Sequence, residues 1–335
     1  MPTFTETSNS ELNDILAGIR SKHFIPGYLD PYQRKLIFGT KNRQLLHDNP
    51  QTTTIGDEEI PLTWIDRRTE IPNRKKAIRR ALQLMEESGR DRKVWSNLPS
   101  LLVGLTHIGV HVDDYMMGVM VRKATNAGRL DVIMQCLEQS RFTGMTLKRE
   151  EVLRHVVWGI RIQAQRENWS EAAVRKGLAE ARQLSLMLES EEHGSGRALV
   201  RDDPRQRPEI IGTFLELAAV NAYKYQGKQD NGGVVAAYVS RLISCIGDKA
   251  QPQSFAPPAR GPVYEMLDGV PIWHGLKLAQ KILGNTIPQA TQANKIAADY
   301  EAGLSNLAQA IEAQSPAEGS YSAQALDVWR NCIRE

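Results

Sequence analysis

Beyond residue 72 the chain keeps returning to one arrangement: apolar residues three and four apart, a short stop at Gly or Pro, then the same spacing again. That alternation leaves little choice of fold. Asn73 is a good N-cap, and Ile78, Ala81, Leu82 and Met85 follow on one helical face until Gly89 stops it. Ser96, Asn97 and Pro99 open a second helix through Leu101, Leu102 and Leu105, closed near Gly109. Asp113 and Asp114 cap a third, carrying Met116, Met117, Met120 and Val121 to Gly128. Asp131 starts a fourth with Ile133, Met134 and Leu137, which ends before Gly144. Residues 150–166 and 170–188 make another pair, the second capped by Ser170. Pro208 opens a helix to Tyr225, and 234–246, 272–283, 288–314 and 323–333 are helical in pattern. A helical pair exposes an apolar face unless it stacks on the next. The expected fold is therefore all-α: a right-handed α-solenoid of helical hairpins with a concave surface.

The remaining segments punctuate this pattern. Residues 1–25 are polar and Ser/Thr-rich and read as weakly ordered, with one short amphipathic stretch at 11–19. Pro26, Pro31, Pro50, Pro61 and Pro72 prevent long helices in 26–72, apart from one over 31–47. Residues 52–55 and 60–65 read as a small hairpin closed across 56–59. Residues 189–207 have no period and read as a long mobile loop, and 248–262 as a Pro-rich linker. The expected division is an irregular, partly ordered basic extension (1–72), helical-hairpin repeats (73–247), the linker (248–262) and a C-terminal helical cap (263–335). Aromatics at 6% argue against a large β-sandwich. The apolar runs at 98–103 and 115–121 fall far short of the roughly 18 residues a membrane span needs.

Charge is unevenly placed although the net is only +3. Between residues 67 and 80, Arg67, Arg68, Arg74, Lys75, Lys76, Arg79 and Arg80 are opposed only by Glu70. Arg34, Lys35, Lys41 and Arg43 lie in a stretch, 31–47, with no acid. Arg74, Lys75 and Lys76 occupy a predicted first helical turn, where cations oppose the helix dipole at roughly 0.3–1 kcal/mol each. Lys75 and Arg79 are a repulsive i, i+4 pair. Such a concentration fits a polyanionic partner, whether nucleic-acid phosphate or an acidic protein surface. It also fits a solvated face offset by acids elsewhere in the fold. Tyr28, Tyr32, Phe38 and Trp64 interleave the basic region, either to stack on unpaired bases or to dock the extension onto the first helices.

Catalytic signatures are missing. No GxSxG, GxxxxGK[ST], HExxH or CxxC occurs. His107 and His111 are four apart, but Gly109 ends the helix between them and no third ligand is indicated. The three cysteines are scattered, which fits a reducing compartment, with Cys136 and Cys245 as small buried apolar residues. The methionines and Trp158, Trp169 and Trp273 read as core. No cofactor, metal or small-molecule substrate is expected. The first residues lack a secretory h-region and are acidic before Arg20, unlike an Arg-rich transit peptide.

Residues 115–147 (YMMGVMVRKATNAGRLDVIMQCLEQSRFTGMTL) carry a resemblance. Ala127-Gly128-Arg129-Leu130-Asp131 resembles the turn of a pentatricopeptide repeat, and Gly144-Met145 resembles its closing turn. Weaker echoes are the turns at 167–170 and 227–230. The resemblance implies a non-enzymatic mitochondrial matrix protein, associated with RNA or with the mitochondrial ribosome, most similar to divergent fungal members of that family. Members that read bases place a small polar residue where Met117 stands here, so the resemblance implies backbone binding or protein scaffolding. A generic helical repeat that scaffolds a protein partner in its concave face is the alternative.

Overall fold

The computed structural model describes residues 1–247 and 261–332. The expected linker 248–262 lies outside the described residues, except for Gly261 and Pro262. By packing, the chain divides into two units, Met1–Leu153 and Arg154–Glu335. Each is described by itself.

Unit 1 begins with α1 (Ser10–Ile19), a π-helical turn (Arg20–Phe24) and α2 (Ile25–Tyr28). It continues with α3 (Pro31–Phe38), α4 (Arg43–Asp48), the antiparallel strands β1 (Gln51–Ile55) and β2 (Glu58–Leu62), and α5 (Arg74–Glu87). It closes with α6 (Arg92–Trp95), α7 (Asn97–His107), α8 (Asp114–Asn126), α9 (Leu130–Glu138) and α10 (Ser140–Thr143). The expected caps are in place: Asn73 accepts from Lys76 N at 3.1 Å and Asp113 from Met116 N at 2.8 Å. Met116, Met117, Met120 and Met134 are buried.

Residues 1–25 depart from the weakly ordered reading. Asn9 caps α1, and Leu12, Leu16, Ile19 and Phe24 are fully buried, with α1 packed on α5. The reason is shape as much as pattern. Phe24 lies on Gly104 of α7, where a Cβ would meet its ring at 2.1 Å. Residues 31–47 form two helices rather than one. The chain turns extended at Gly39, and Asn42 Nδ2 donates to the last-turn carbonyls of Lys35 and Leu36 at 3.0 and 3.3 Å. The hairpin forms with a tighter turn than expected: Ile55 pairs with Glu58 across Gly56-Asp57, with Gly56 at φ +63°. Leu29, Leu36, Ile37, Leu46, Leu62 and Ile65 make a small core beneath α3, α4 and the hairpin.

Unit 2 takes in most of α11 (Glu150–Arg166), then α12 (Glu171–Leu188), α13 (Pro208–Tyr225) and α14 (Val234–Ile246). After the undescribed segment come α15 (Pro262–Leu283), α16 (Ala290–Glu312) and α17 (Tyr321–Arg330). The expected helix start at residue 272 is corrected: α15 runs straight through Pro271. An interior proline costs a helix roughly 3 kcal/mol. Here burial on α13 offsets it, because both helices carry a glycine at the crossing. A Cβ on Gly212 would meet Ile272 Cγ1 at 2.4 Å, and one on Gly275 would meet Glu216 N at 2.9 Å. The stretch 189–207 is irregular, but Arg205 and Ser195 both hydrogen-bond the buried Asp203, at 2.8 and 2.7 Å, and fasten it. No helix among the described residues is long and apolar enough to cross a membrane.

Candidate nucleic-acid interface and a buried ion cluster

The predicted cations fall on two sets of elements in unit 1. Arg34 and Lys35 stand on α3, Lys41 on the turn after it, Arg43 on α4, and Arg67 and Arg68 beyond β2. Within this set the small core positions two aromatic rings that hold arginines. The Arg67 guanidinium lies 4.1 Å from the Phe38 ring centre and that of Arg43 lies 5.0 Å from Trp64. Exposed cation–π contacts contribute about 0.5–1 kcal/mol and leave the N–H edges open. Phe38 and Trp64 pack against the small core of the extension itself and orient charge there. Tyr28 stacks on His107 at 4.0 Å, and only Tyr32 projects fully into solvent.

The second set occupies α5: Arg74, Lys75, Lys76, Arg79 and Arg80, with no acid in the first turn. Two of the eleven cations are committed to carboxylates. Arg80 makes a two-pronged pair with Glu11 of α1 at 2.7 and 2.8 Å, and Lys75 reaches Asp113 at 3.4 Å. The Met116 N–H, with Lys75 and Arg79 close by, holds the Asp113 carboxyl below its usual range. Arg74 faces His23, whose pKa burial lowers. Arg34, Lys35, Lys41, Arg43, Arg67, Arg68, Arg74, Lys76 and Arg79 form no ion pair among the described residues. Surface cations without partners keep their field available to an external anion.

His107 and His111 do not make a site. The helix ends at Gly109, φ +71°; His107 is stacked on Tyr28 and His111 faces Arg149 at 3.4 Å. Met117, the position that bears on base reading, is buried. Cys136 is buried as expected and its thiol is pushed up to about 12 by desolvation, which keeps it inert. Cys245 differs from expectation, being only half-buried on α14.

Sequence reasoning missed the strongest electrostatic feature of unit 2. Arg161 of α11 donates to both oxygens of Glu216 on α13, at 2.8 and 2.9 Å. His274 Nδ1 of α15 lies 2.6 Å from Glu216 Oε1, and Arg161 Nη2 lies 3.6 Å from Cys332 Sγ beyond α17. Gln165 accepts from Arg161 and donates to the carbonyls of Asp327 and Val328, tying α17 into the same network. Arg161, Glu216 and His274 are essentially inaccessible to solvent. Burial alone would raise Glu216, but the guanidinium and imidazole beside it hold it below its usual range. Burial would also strip His274 of its proton; the Cys332 sulfur and the Glu216 carboxylate hold its pKa at about 9. Donor atoms of Glu216, His274 and Cys332 lie within 4.8 Å of one another, the spacing of a metal site. The Arg161 guanidinium already bonds both Glu216 oxygens, so the place a cation would take is filled by the chain's own. The cluster ties α11, α13, α15 and the end of α17 together. The signal for it was one ionisable residue inside each of three apolar helical runs, VVWGIRI, FLELAAV and PIWHGL.

The two units thus define a mostly helical protein, with cations that form no ion pair among the described residues in the first and a buried ion cluster in the second. Its family is shown by comparison: the chain belongs to the mitochondrial ribosomal protein mS27 family, whose model matches residues 1–331. It is also similar to the small ribosomal subunit protein mS27 of Neurospora crassa, 30% identical over 223 residues. That match covers 65% of this chain and 55% of the relative, so the chain spans about half the length of the protein it matches. Family membership carries the mitochondrial matrix location.

Proposed function

We propose that the protein is a non-enzymatic component of the small subunit of the mitochondrial ribosome, held to ribosomal RNA by the cations of unit 1. Family membership over residues 1–331 supports the ribosomal half of this reading. The RNA half rests on one observation: nine of the eleven predicted cations form no ion pair among the described residues. Lys76 and its neighbours stand at a helix start that repels cations, and phosphate relieves that repulsion. In this reading residues 1–72 and the start of α5 face the RNA backbone. The pair α8–α9 belongs to right-handed, pentatricopeptide-like hairpin stacking, and residues 263–335 cap the chain.

The test is binding of the purified full chain to small-subunit ribosomal RNA across a salt series, beside sedimentation of the chain from mitochondrial lysates. Changing Arg34, Lys35, Lys41, Arg43, Arg67 and Arg68 to Gln, and separately Arg74, Lys76 and Arg79 to Gln, is expected to flatten the log affinity against log salt plot. Each lost phosphate contact removes about 0.7–0.9 from that slope. An unchanged slope in both variants overturns the RNA half. Absence of the wild-type chain from small-subunit fractions overturns the ribosomal half.

A further inference from the structure

α12 buries one apolar stripe and exposes a second. Ala173, Val174, Gly177, Ala181, Leu184 and Leu188 are buried. Leu178, Arg182 and Leu186 repeat at four-residue spacing on a different face, and Leu186 is 63% exposed. Across a trough floored by Phe214 and Tyr225 of α13 stands α14, presenting Val234, 46% exposed, and Tyr238 one turn on. The trough encloses about 710 Å³.

Its charge is one-sided. Arg175 and Arg182 line it, and no Asp or Glu does. Arg175 is taken by Glu171 at 2.6 Å, whereas Arg182 forms no ion pair among the described residues. Among the described residues Arg241 of α14 forms no ion pair and donates to the Arg205 carbonyl, at 3.2 Å. Tyr238 lines the trough and Arg241 follows it by three residues on α14, so the two share a helical face; burial raises the Tyr238 pKa, and the charges of Arg241 and Arg182 act against that rise. Aliphatic walls do not stack bases, and the Phe214 ring is buried and turned edge-on to Tyr238, 6.2 Å between centres at 68°. Apolar walls at helical spacing beneath unpaired arginines are complementary to an amphipathic helix with acidic flanks.

We propose that this trough docks an α-helix of another protein, whose apolar face covers Leu186, Val234 and Tyr238 and whose carboxylates meet Arg182 and Arg241. The site lies in unit 2 and uses none of the cations assigned to RNA. Only the choice of mitochondria as the place to look rests on the ribosomal reading.

The test places a photoreactive benzoylphenylalanine at position 186 or 234 of the full chain, illuminates intact mitochondria, and then sediments the ribosomal subunits and sequences the crosslinked products. The expected result is crosslinking from both positions to one protein segment with apolar residues at three- and four-residue spacing and Asp or Glu beside them. Arg182→Glu should cut the crosslink yield at least tenfold, and Lys in place of the facing acid of the partner should restore it. Arg182 is exposed, so thermal unfolding of this variant should match the wild type; Leu186→Asp, which sets like charge against the partner, serves as the second variant. Crosslinks to RNA or to a second copy of the chain overturn the proposal. So does the absence of protein crosslinks, or a yield insensitive to both variants. A chain that sediments with the small subunit but gives no protein crosslink refutes this docking site and leaves the ribosomal reading standing. Protein crosslinks from a chain absent from the subunit do the reverse.

Discussion

Glu216→Gln keeps the shape of the side chain and removes the negative charge at the centre of unit 2. Two charge-assisted bonds from Arg161 and one contact to His274 depend on that charge. Arg161 is 1% exposed and has no water to fall back on. Breaking a buried pair by removing one partner typically costs about 3–5 kcal/mol, because the other charge stays buried and uncompensated. Gln can still accept one bond, which places the expected loss near 3 kcal/mol. For a body of this size each kcal/mol moves the midpoint by about 2–4 °C, so the unit 2 transition should fall by roughly 6–12 °C. Tryptophan fluorescence reads it locally, since Trp169 lies 5.4 Å from the Arg161 guanidinium and 5.8 Å from the His274 ring.

The pH dependence is a second, independent readout. Among the groups facing His274 are Glu216 from α13 and Cys332 from beyond α17, with Arg161 of α11 bridging those two. They hold the folded pKa at about 9, above the ordinary 6.5. A pKa raised by folding stabilises the protein fully below pH 6.5, and that contribution is lost as pH rises through about 9. The gap corresponds to about 3 kcal/mol. The wild-type transition should therefore weaken between pH 7 and 9.5, and Glu216→Gln should flatten that slope. Arg161→Met combined with Glu216→Gln should cost less than the sum of the two single changes. A Glu216→Gln loss below about 1 kcal/mol, or an unaltered pH slope, would refute the closed ion cluster.

Two packing predictions follow from close approaches. Gly275→Ala drives a methyl against Glu216 N and Leu215 Cγ, each at 2.9 Å, and backbone cannot step aside; a loss of about 1–3 kcal/mol in the unit 2 transition is expected in denaturant unfolding. Phe24→Ala empties the space over Gly104 and should cost unit 1 about 3–5 kcal/mol by the same measurement; a change under 1 kcal/mol would mean the N-terminal helix is not anchored there.

Local structure was legible because its causes are local. Asn73, Asp113 and Ser170 cap helices by bonding N–H groups three residues ahead, and apolar residues three and four apart share a face whatever lies elsewhere. The hairpin was visible in its alternation, while its two-residue turn needed the observed pairing of Ile55 with Glu58. The basic segments were visible as composition. Which charges stay open was not, because Glu11 comes from 69 residues away to take Arg80 and Asp113 from 38 residues away to take Lys75. Pro271 reads locally as a helix start; only the glycine-lined crossing with α13 carries the helix through it.

The sequence by itself thus determined most helices beyond residue 72, several of their caps and the uneven placement of positive charge, since these depend on neighbours within one or two turns. Tertiary structure decided the rest: which cations remain free, how Phe24 anchors the first helix, and how Arg161, Glu216 and His274 meet across separations of 55 and 58 residues. Those pairings arise only when packing removes water and leaves each buried charge no partner but another part of the chain.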